Sequence, residues 1–202
     1  AVSLVVSIII ARILSPDDYS VVSIVTIFFT FSNVLISGGL NTALIQKKDA
    51  DEIDYSTVFF TSLIISIAIY ILLFISAPYI AKIYNKPILI PVIRVMSLTL
   101  PINAVKSIVC AYISATLQFR KFFFATISGT IASAIVGVAM AVYGFGAWAL
   151  VAQQMTNAAI DTLILYLSTH LRVKPVISLD RLKSLWKYGW KVLVSSLIGT
   201  AY

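Results

Sequence analysis

The chain has 202 residues, of which 60% are hydrophobic and 11% charged, and its formal net charge is +7. A mean hydropathy of +0.99 excludes an ordinary water-soluble domain, in which apolar residues make up about half of the sequence. Eight glycines and six prolines exclude a fibrous chain, the lone Cys110 excludes an internal disulfide framework, and the single His170 forms no metal cluster.

The apolar residues fall into seven segments separated by six short polar loops, the pattern of an all-α, polytopic transmembrane bundle. Residues 1–14 form part of a first span, closed at Ser15-Pro16-Asp17-Asp18, where proline breaks a helix and the acidic pair favours the start of the next. Residues 19–45 carry no charge. As one helix they measure about 40 Å, longer than the ~30 Å hydrocarbon core, so Gly38-Gly39 is expected to bend or end this span.

The polar loop QKKDADEIDY, residues 46–55, leads to a third span over 56–77. A short segment over 79–90 carries Lys82 and Lys86 before a fourth span over 91–117, and Arg120 and Lys121 mark the next interface. A fifth span covers 121–143, Gly144-Phe145-Gly146 closes a tight hairpin, and a sixth covers 147–169. Residues 1–177 thus make a first bundle. The chain opens at Ala1 and stops at Tyr202 inside apolar runs, with no initiator Met and no charged region in front. It reads as a fragment cut within its first and last spans, without a cleaved signal.

After Pro175, Ser178 is a suitable N-cap. Leu179, Leu182, Leu185, Trp186, Trp190 and Leu193 then recur at helical spacing, opposite Arg181, Lys183, Ser184, Lys187 and Lys191. Residues 178–189 are expected to form a basic amphipathic helix lying flat at the membrane surface, and residues 190–202 to start a seventh span.

Basic residues accumulate in short cytoplasmic loops. After spans one, three and five there are three, Arg12, Lys82 and Lys86. After spans two, four and six there are ten: Lys47, Lys48, Arg120, Lys121, Arg172, Lys174, Arg181, Lys183, Lys187 and Lys191. The even loops, and with them the amino terminus, are therefore expected inside. Basic residues placed between membrane spans point to anionic lipid headgroups, not to nucleic acid.

Within the spans, Ala125, Gly129, Ser133, Gly137 and Ala141 repeat every four residues, a small-residue ridge that admits a close neighbour, with a weaker echo in Asn103, Ser107, Ala111 and Ala115. Charges at the bilayer centre cost about 2.5–3.5 kcal/mol each, so they face a cavity or a partner. Arg94 and Lys106 fall within the fourth span, twelve residues and hence about 18 Å apart, too far to grip one small anion together. Arg94 is near enough to the outer interface to reach headgroups. Lys106 and Asp161 lie at equal depth, roughly 21–22 Å in, which allows an ion pair. Gln153, Gln154 and Asn157 lead up to Asp161 as a polar stripe, matched by Asn33 and Asn103 in other spans. Two readings stay open for these amides: hydrogen-bond glue between helices, or the wall of a hydrated cavity.

The strings ARILSPDDYS, SGGLNTALIQKKDADEIDYSTVFF, APYIAKIYNKPILIPVIRVMSL, GFGAWALVAQQ and WKYGWKVLVSSL resemble the bacterial polysaccharide flippases of the multidrug/oligosaccharidyl-lipid/polysaccharide exporter superfamily. The resemblance implies two six-helix bundles around a cavity that opens alternately to either side, of which this chain is the N-terminal half. It implies translocation of polyprenyl-diphosphate-linked oligosaccharides across the bacterial inner membrane, with membrane lipids and polysaccharide polymerase machinery as partners and no cofactor. On that scheme Arg94 and Lys106 meet the diphosphate, Asn33, Asn103, Gln153, Gln154 and Asn157 meet sugar hydroxyls, and Asp161 is a candidate ion-coupling carboxylate. The alternatives are an ion-coupled drug exporter of the same superfamily and a membrane enzyme of glycan assembly. The short outer loops and the lack of a His, Cys or carboxylate cluster disfavour the enzyme, and no phosphate-binding glycine loop supports direct use of ATP.

Overall fold

The fold comes from a computed structural model that describes residues 2–37, 39–47, 50–169 and 176–201. Within them the chain forms α1 (Val2–Ile13), α2 (Pro16–Ser37), α3 (Leu40–Gln46), α4 (Glu52–Ile83), α5 (Leu89–Met96), α6 (Thr99–Ala115), α7 (Phe119–Val142), α8 (Ala147–Ser168) and α9 (Leu179–Ala201). No strand occurs among the described residues. Gly38, Lys48, His170, Arg172, Lys174 and Pro175, invoked above, lie outside them.

Four stretches are long and apolar enough to cross a membrane: Pro16–Ile36, Glu52–Ile83, Leu89–Ala115 and Phe119–Val142. Their outward faces carry exposed Ile64, Leu72, Ile75, Ile131 and Ile135, a surface suited to lipid and not to water. The 22-residue α8 also has the length of a span. It is not among the four, because Gln153, Gln154, Asn157 and Asp161 lower its hydropathy.

Loops alternate between two ends of the bundle. At one end Asp18, in the first turn of α2, accepts a 2.8 Å bond from the backbone N–H of Ala147, and Lys86, between α4 and α5, reaches Asp17 at 3.2 Å. At the other end Arg181 of α9 binds Asp54 of α4, and Tyr55 packs edge-on against Tyr112 of α6 with ring centroids 5.4 Å apart.

Three boundaries differ from those read in the sequence. The helix expected to end at Ala77 continues through Pro78 to Ile83, since one missing backbone donor near a membrane helix end is tolerated. The span expected over 91–117 begins at Leu89 and carries a short interruption at Ser97-Leu98 between α5 and α6. Pro101 has no N–H to give the carbonyl of Ser97, and its place in the first turn of α6 is where that loss matters least. At the carboxy end, α9 runs from Leu179 to Ala201 with no interruption between the amphipathic stretch and the expected seventh span.

Gly39 separates α2 from α3 and lets α9 come close. A methyl group built there would lie 2.5 Å from the carbonyl oxygen of Gly189. Any other residue at 39 would push α9 away.

Candidate functional site

The site is built on the most extensive helix pairing among the described residues, α7 against α8. All five ridge residues of α7, from Ala125 to Ala141 in steps of four, are buried, and they meet α8 in antiparallel register about the turn at 144–146. A methyl on Gly137 would lie 3.0 Å from Cβ of Gln153, and one on Gly129 would lie 3.1 Å from Cβ of Asp161. Between them, Asn157 Nδ2 donates to Ser133 Oγ at 3.4 Å. The small residues therefore bring α7 onto the very face of α8 that carries the polar stripe.

Beside that seam lies a cavity of about 410 Å³, lined among others by Asn103 and Lys106 of α6 and by Gln153, Gln154 and Asn157 of α8. Lys106 Nζ sits 2.5 Å from Asp161 Oδ2. Asp161 is 2% exposed, and its other oxygen, Oδ1, has no hydrogen-bond partner. The pair is thus asymmetric: the carboxylate is enclosed, while the lysine lies between it and the cavity. A buried carboxylate keeps its charge only beside such a partner.

The sequence-predicted residues separate into two places. Asn103, Lys106, Gln153, Gln154 and Asn157 line the cavity. Asn33 stands behind it: its Oδ1 accepts from Asn103 Nδ2 at 3.2 Å, and its Nδ2 donates to the Phe29 carbonyl at 2.9 Å, so it holds Asn103 in position. Arg94 is not among the cavity-lining residues. It lies in the last turn of α5, its guanidinium lies 4.4 Å from the centroid of the Phe74 ring on α4, and its Nε is without a partner. Among the described residues no group of three or more His, Cys, Asp or Glu is arranged to hold a metal.

Sequence reasoning missed a second charged cluster. Asp51 and Asp54 form a capping box at the start of α4, and Asp54, at 0% exposure, binds Lys47 Nζ at 2.5 Å and Arg181 Nη1 at 3.2 Å. Arg181 Nη2 reaches Asp51 at 3.1 Å. The D-x-x-D spacing just before an apolar run is the signal that marks the cap. Nothing in the spacing marks its partner, more than a hundred residues on.

The profile of the polysaccharide biosynthesis protein family matches residues 9–202. The chain belongs to that family. Its relatives include the succinoglycan biosynthesis transport protein ExoT of Rhizobium meliloti, 26% identical over 189 residues, which are 94% of this chain and 38% of ExoT. The lipopolysaccharide biosynthesis protein WzxC of Escherichia coli is 21% identical over 156 residues, 77% of this chain and 32% of WzxC. The teichuronic acid biosynthesis protein TuaB of Bacillus subtilis is 29% identical over 68 residues, 34% of this chain and 14% of TuaB. The chain thus spans well under half the length of these relatives. No solved structure matches it.

Membership of the polysaccharide biosynthesis protein family fits the apolar helices of a multi-pass membrane protein. The strings that carry the family resemblance are also joints of this fold. ARILSPDDYS meets GFGAWAL through Asp18 and Ala147, and SGGLN meets WKYGWK where Gly39 touches Gly189.

Proposed function

We propose that the chain is the N-terminal half of a flippase that carries polyprenyl-diphosphate-linked oligosaccharides outward across the bacterial inner membrane by alternating access. The even-numbered loops and the amino terminus lie on the cytoplasmic side, as the ten-to-three distribution of basic residues favours. The observation that carries this reading is a cavity walled by amides and one cation inside an otherwise apolar bundle. Amides offer donors and acceptors to sugar hydroxyls, and an ammonium group meets phosphate.

On this reading Lys106 exchanges partners. Asp161 neutralises it; a diphosphate, with more negative charge, competes for the same ammonium. Asn103, Gln153, Gln154 and Asn157 meet the sugar, Asn33 positions Asn103, and Arg94, seated on Phe74, serves the headgroup region. In the full-length protein, the Lys106→Ala/Asp161→Asn double variant, which leaves no buried carboxylate unpaired, is expected to abolish surface polysaccharide at normal expression, and Lys106→Arg to retain part of it. Undiminished polysaccharide with the double variant would overturn the reading.

The buried Asp161, with Oδ1 unpartnered, favours one second reading, an ion-coupled drug exporter in which that carboxylate carries the coupling ion. Growth protection across a panel of cationic drugs, lost in Asp161→Asn while polysaccharide is unaffected, would select it.

A further inference from the structure

A second cavity, of about 750 Å³, lies away from the polar site, between α9, α3 and α4. Leu40 of α3 and Thr61 of α4 form one side; Trp186 and Trp190 of α9 form the other, with Lys183 and Lys187 along its rim. The helical arc of α9 expected to be its apolar face is divided by the fold. Leu185 and Gly189 turn into the protein, Gly189 against Gly39. Trp186 and Trp190 are left 45% and 47% exposed beside the groove.

We propose that this groove holds one acyl chain of an anionic phospholipid, with its phosphate bound by Lys183 and Lys187. The chemistry is complementary at both ends. The walls are almost wholly apolar, so a hydrocarbon chain fills them without leaving polar groups unpaired. At the rim, neither Lys183 nor Lys187 has a carboxylate partner among the described residues, so both ammonium groups are available to a phosphate. Tryptophans with one apolar side and one N–H are suited to the depth where acyl chain meets headgroup.

Charge and shape also select among lipids. The groove has no amide side chain, and Thr61 is the uncharged polar residue among its lining residues, so nothing in it matches an oligosaccharide headgroup. A small anionic headgroup fits the lysine rim. The bound lipid fixes α9 against α3 and α4 and joins the annular lipid to the bundle at the Asp54 end.

The test uses the full-length protein in phosphatidylcholine bilayers containing a small fraction of brominated phosphatidylglycerol or brominated phosphatidylcholine. The quenching due to Trp186 and Trp190 is isolated by difference from a Trp186→Phe/Trp190→Phe variant. Brominated phosphatidylglycerol is expected to quench at about tenfold lower mole fraction than its phosphatidylcholine counterpart, as two lysines at a membrane surface imply. Lys183→Gln/Lys187→Gln should abolish that preference while chain-dependent quenching remains. Equal quenching by the two headgroups, or a preference that survives removal of both lysines, would overturn the assignment. So would the absence of quenching by either lipid, which would mean that the rest of the chain covers the groove. Displacement by a polyprenyl diphosphate at equal concentration would overturn it as well, and give the groove to the substrate's tail.

Discussion

Arg181 lays its guanidinium across Asp54, with Nη1 3.2 Å from both carboxylate oxygens, and so ties the first turn of α9 to the first turn of α4. Asp54 is fully enclosed and also bound by Lys47, so it has two cationic partners. Arg181→Ala and Lys47→Ala should each cost about 1–2 kcal/mol, because one cation remains and the lysine and arginine are themselves partly exposed. Together they strand a buried carboxylate, and the double variant should lose about 3–5 kcal/mol. Adding Asp54→Asn to the double variant should recover much of that loss. Thermal unfolding of the full-length protein in detergent checks the series, and strict additivity of the two single variants would refute the shared-partner geometry.

The same joint sets a pH dependence. Asp51 is held below its ordinary value of 3.8, chiefly by the backbone N–H of Asp54 and then by Arg181, against the opposing effect of burial. A carboxyl whose folded pKa is depressed stabilises the fold above its unfolded pKa, and that stabilisation is lost as pH falls through the folded value. The difference in thermal stability between the natural chain and Asp51→Asn should therefore be constant from pH 8 to about 5 and shrink only below 3.8. A gap that closes near neutrality would contradict the assignment.

At the opposite end, Asp18 caps two helices. Its Oδ2 accepts from Ser15 N–H at 3.1 Å, and its Oδ1 accepts from Ala147 N–H at 2.8 Å. Asp18→Ala should cost about 1 kcal/mol, with Asp18→Asn milder. Gly146 has φ +56° and would place a methyl 2.7 Å from Asp18 Oδ1, so Gly146→Ala should cost about 1–3 kcal/mol through both strain and the clash. The Asp18→Ala/Gly146→Ala double variant should lose less than the two single losses combined, because removing the carboxylate removes the clash. Denaturation midpoints of the three variants measure this.

Packing of α7 on α8 gives a graded prediction. Ser133→Ala removes a long 3.4 Å bond from Asn157 Nδ2 and a 3.0 Å bond that the hydroxyl donates to the Thr130 carbonyl within its own helix, and should change yield and stability little. Gly137→Leu, on a position where even a methyl meets Gln153 at 3.0 Å, should abolish stable expression. Equal tolerance at 133 and 137 would show that the register described for this helix pair is wrong.

How much of this was legible in the sequence follows from the range of each interaction. The ridge from Ala125 to Ala141 and the stripe from Gln153 to Asp161 are each periodic within one helix, and in the fold they meet along the seam of α7 and α8. The neighbourhood of Lys106 and Asp161 was readable from equal depth in the bilayer, a constraint soluble proteins lack. The break at Ser97-Leu98 was not anticipated, because hydropathy runs on across it while Pro101 withdraws one backbone donor. Nor was the turn of Arg94 toward Phe74 or the clamp of Arg181 on Asp54. Those depend on which helices are neighbours, and hydropathy alone does not order helices around a bundle. The division of α9's apolar arc between protein and groove was hidden for the same reason.

The pair at the cavity separates stability from transport. Lys106→Ala leaves Asp161 enclosed with neither oxygen paired, since Oδ1 already lacks a partner, and should lower yield and stability by about 3–5 kcal/mol. Asp161→Asn removes the charge and leaves Lys106, with a side chain 28% exposed, free to face the cavity, so it should cost less. The Lys106→Ala/Asp161→Asn double variant contains no buried charge at this site and should regain most of the stability lost in Lys106→Ala. Transport should behave differently. If Lys106 meets the diphosphate, the double variant folds and inserts yet yields no surface polysaccharide, whereas Asp161→Asn, with its lysine released, keeps substrate binding. Recovery of polysaccharide in step with recovery of expression would show that the pair is structural and that substrate is held elsewhere.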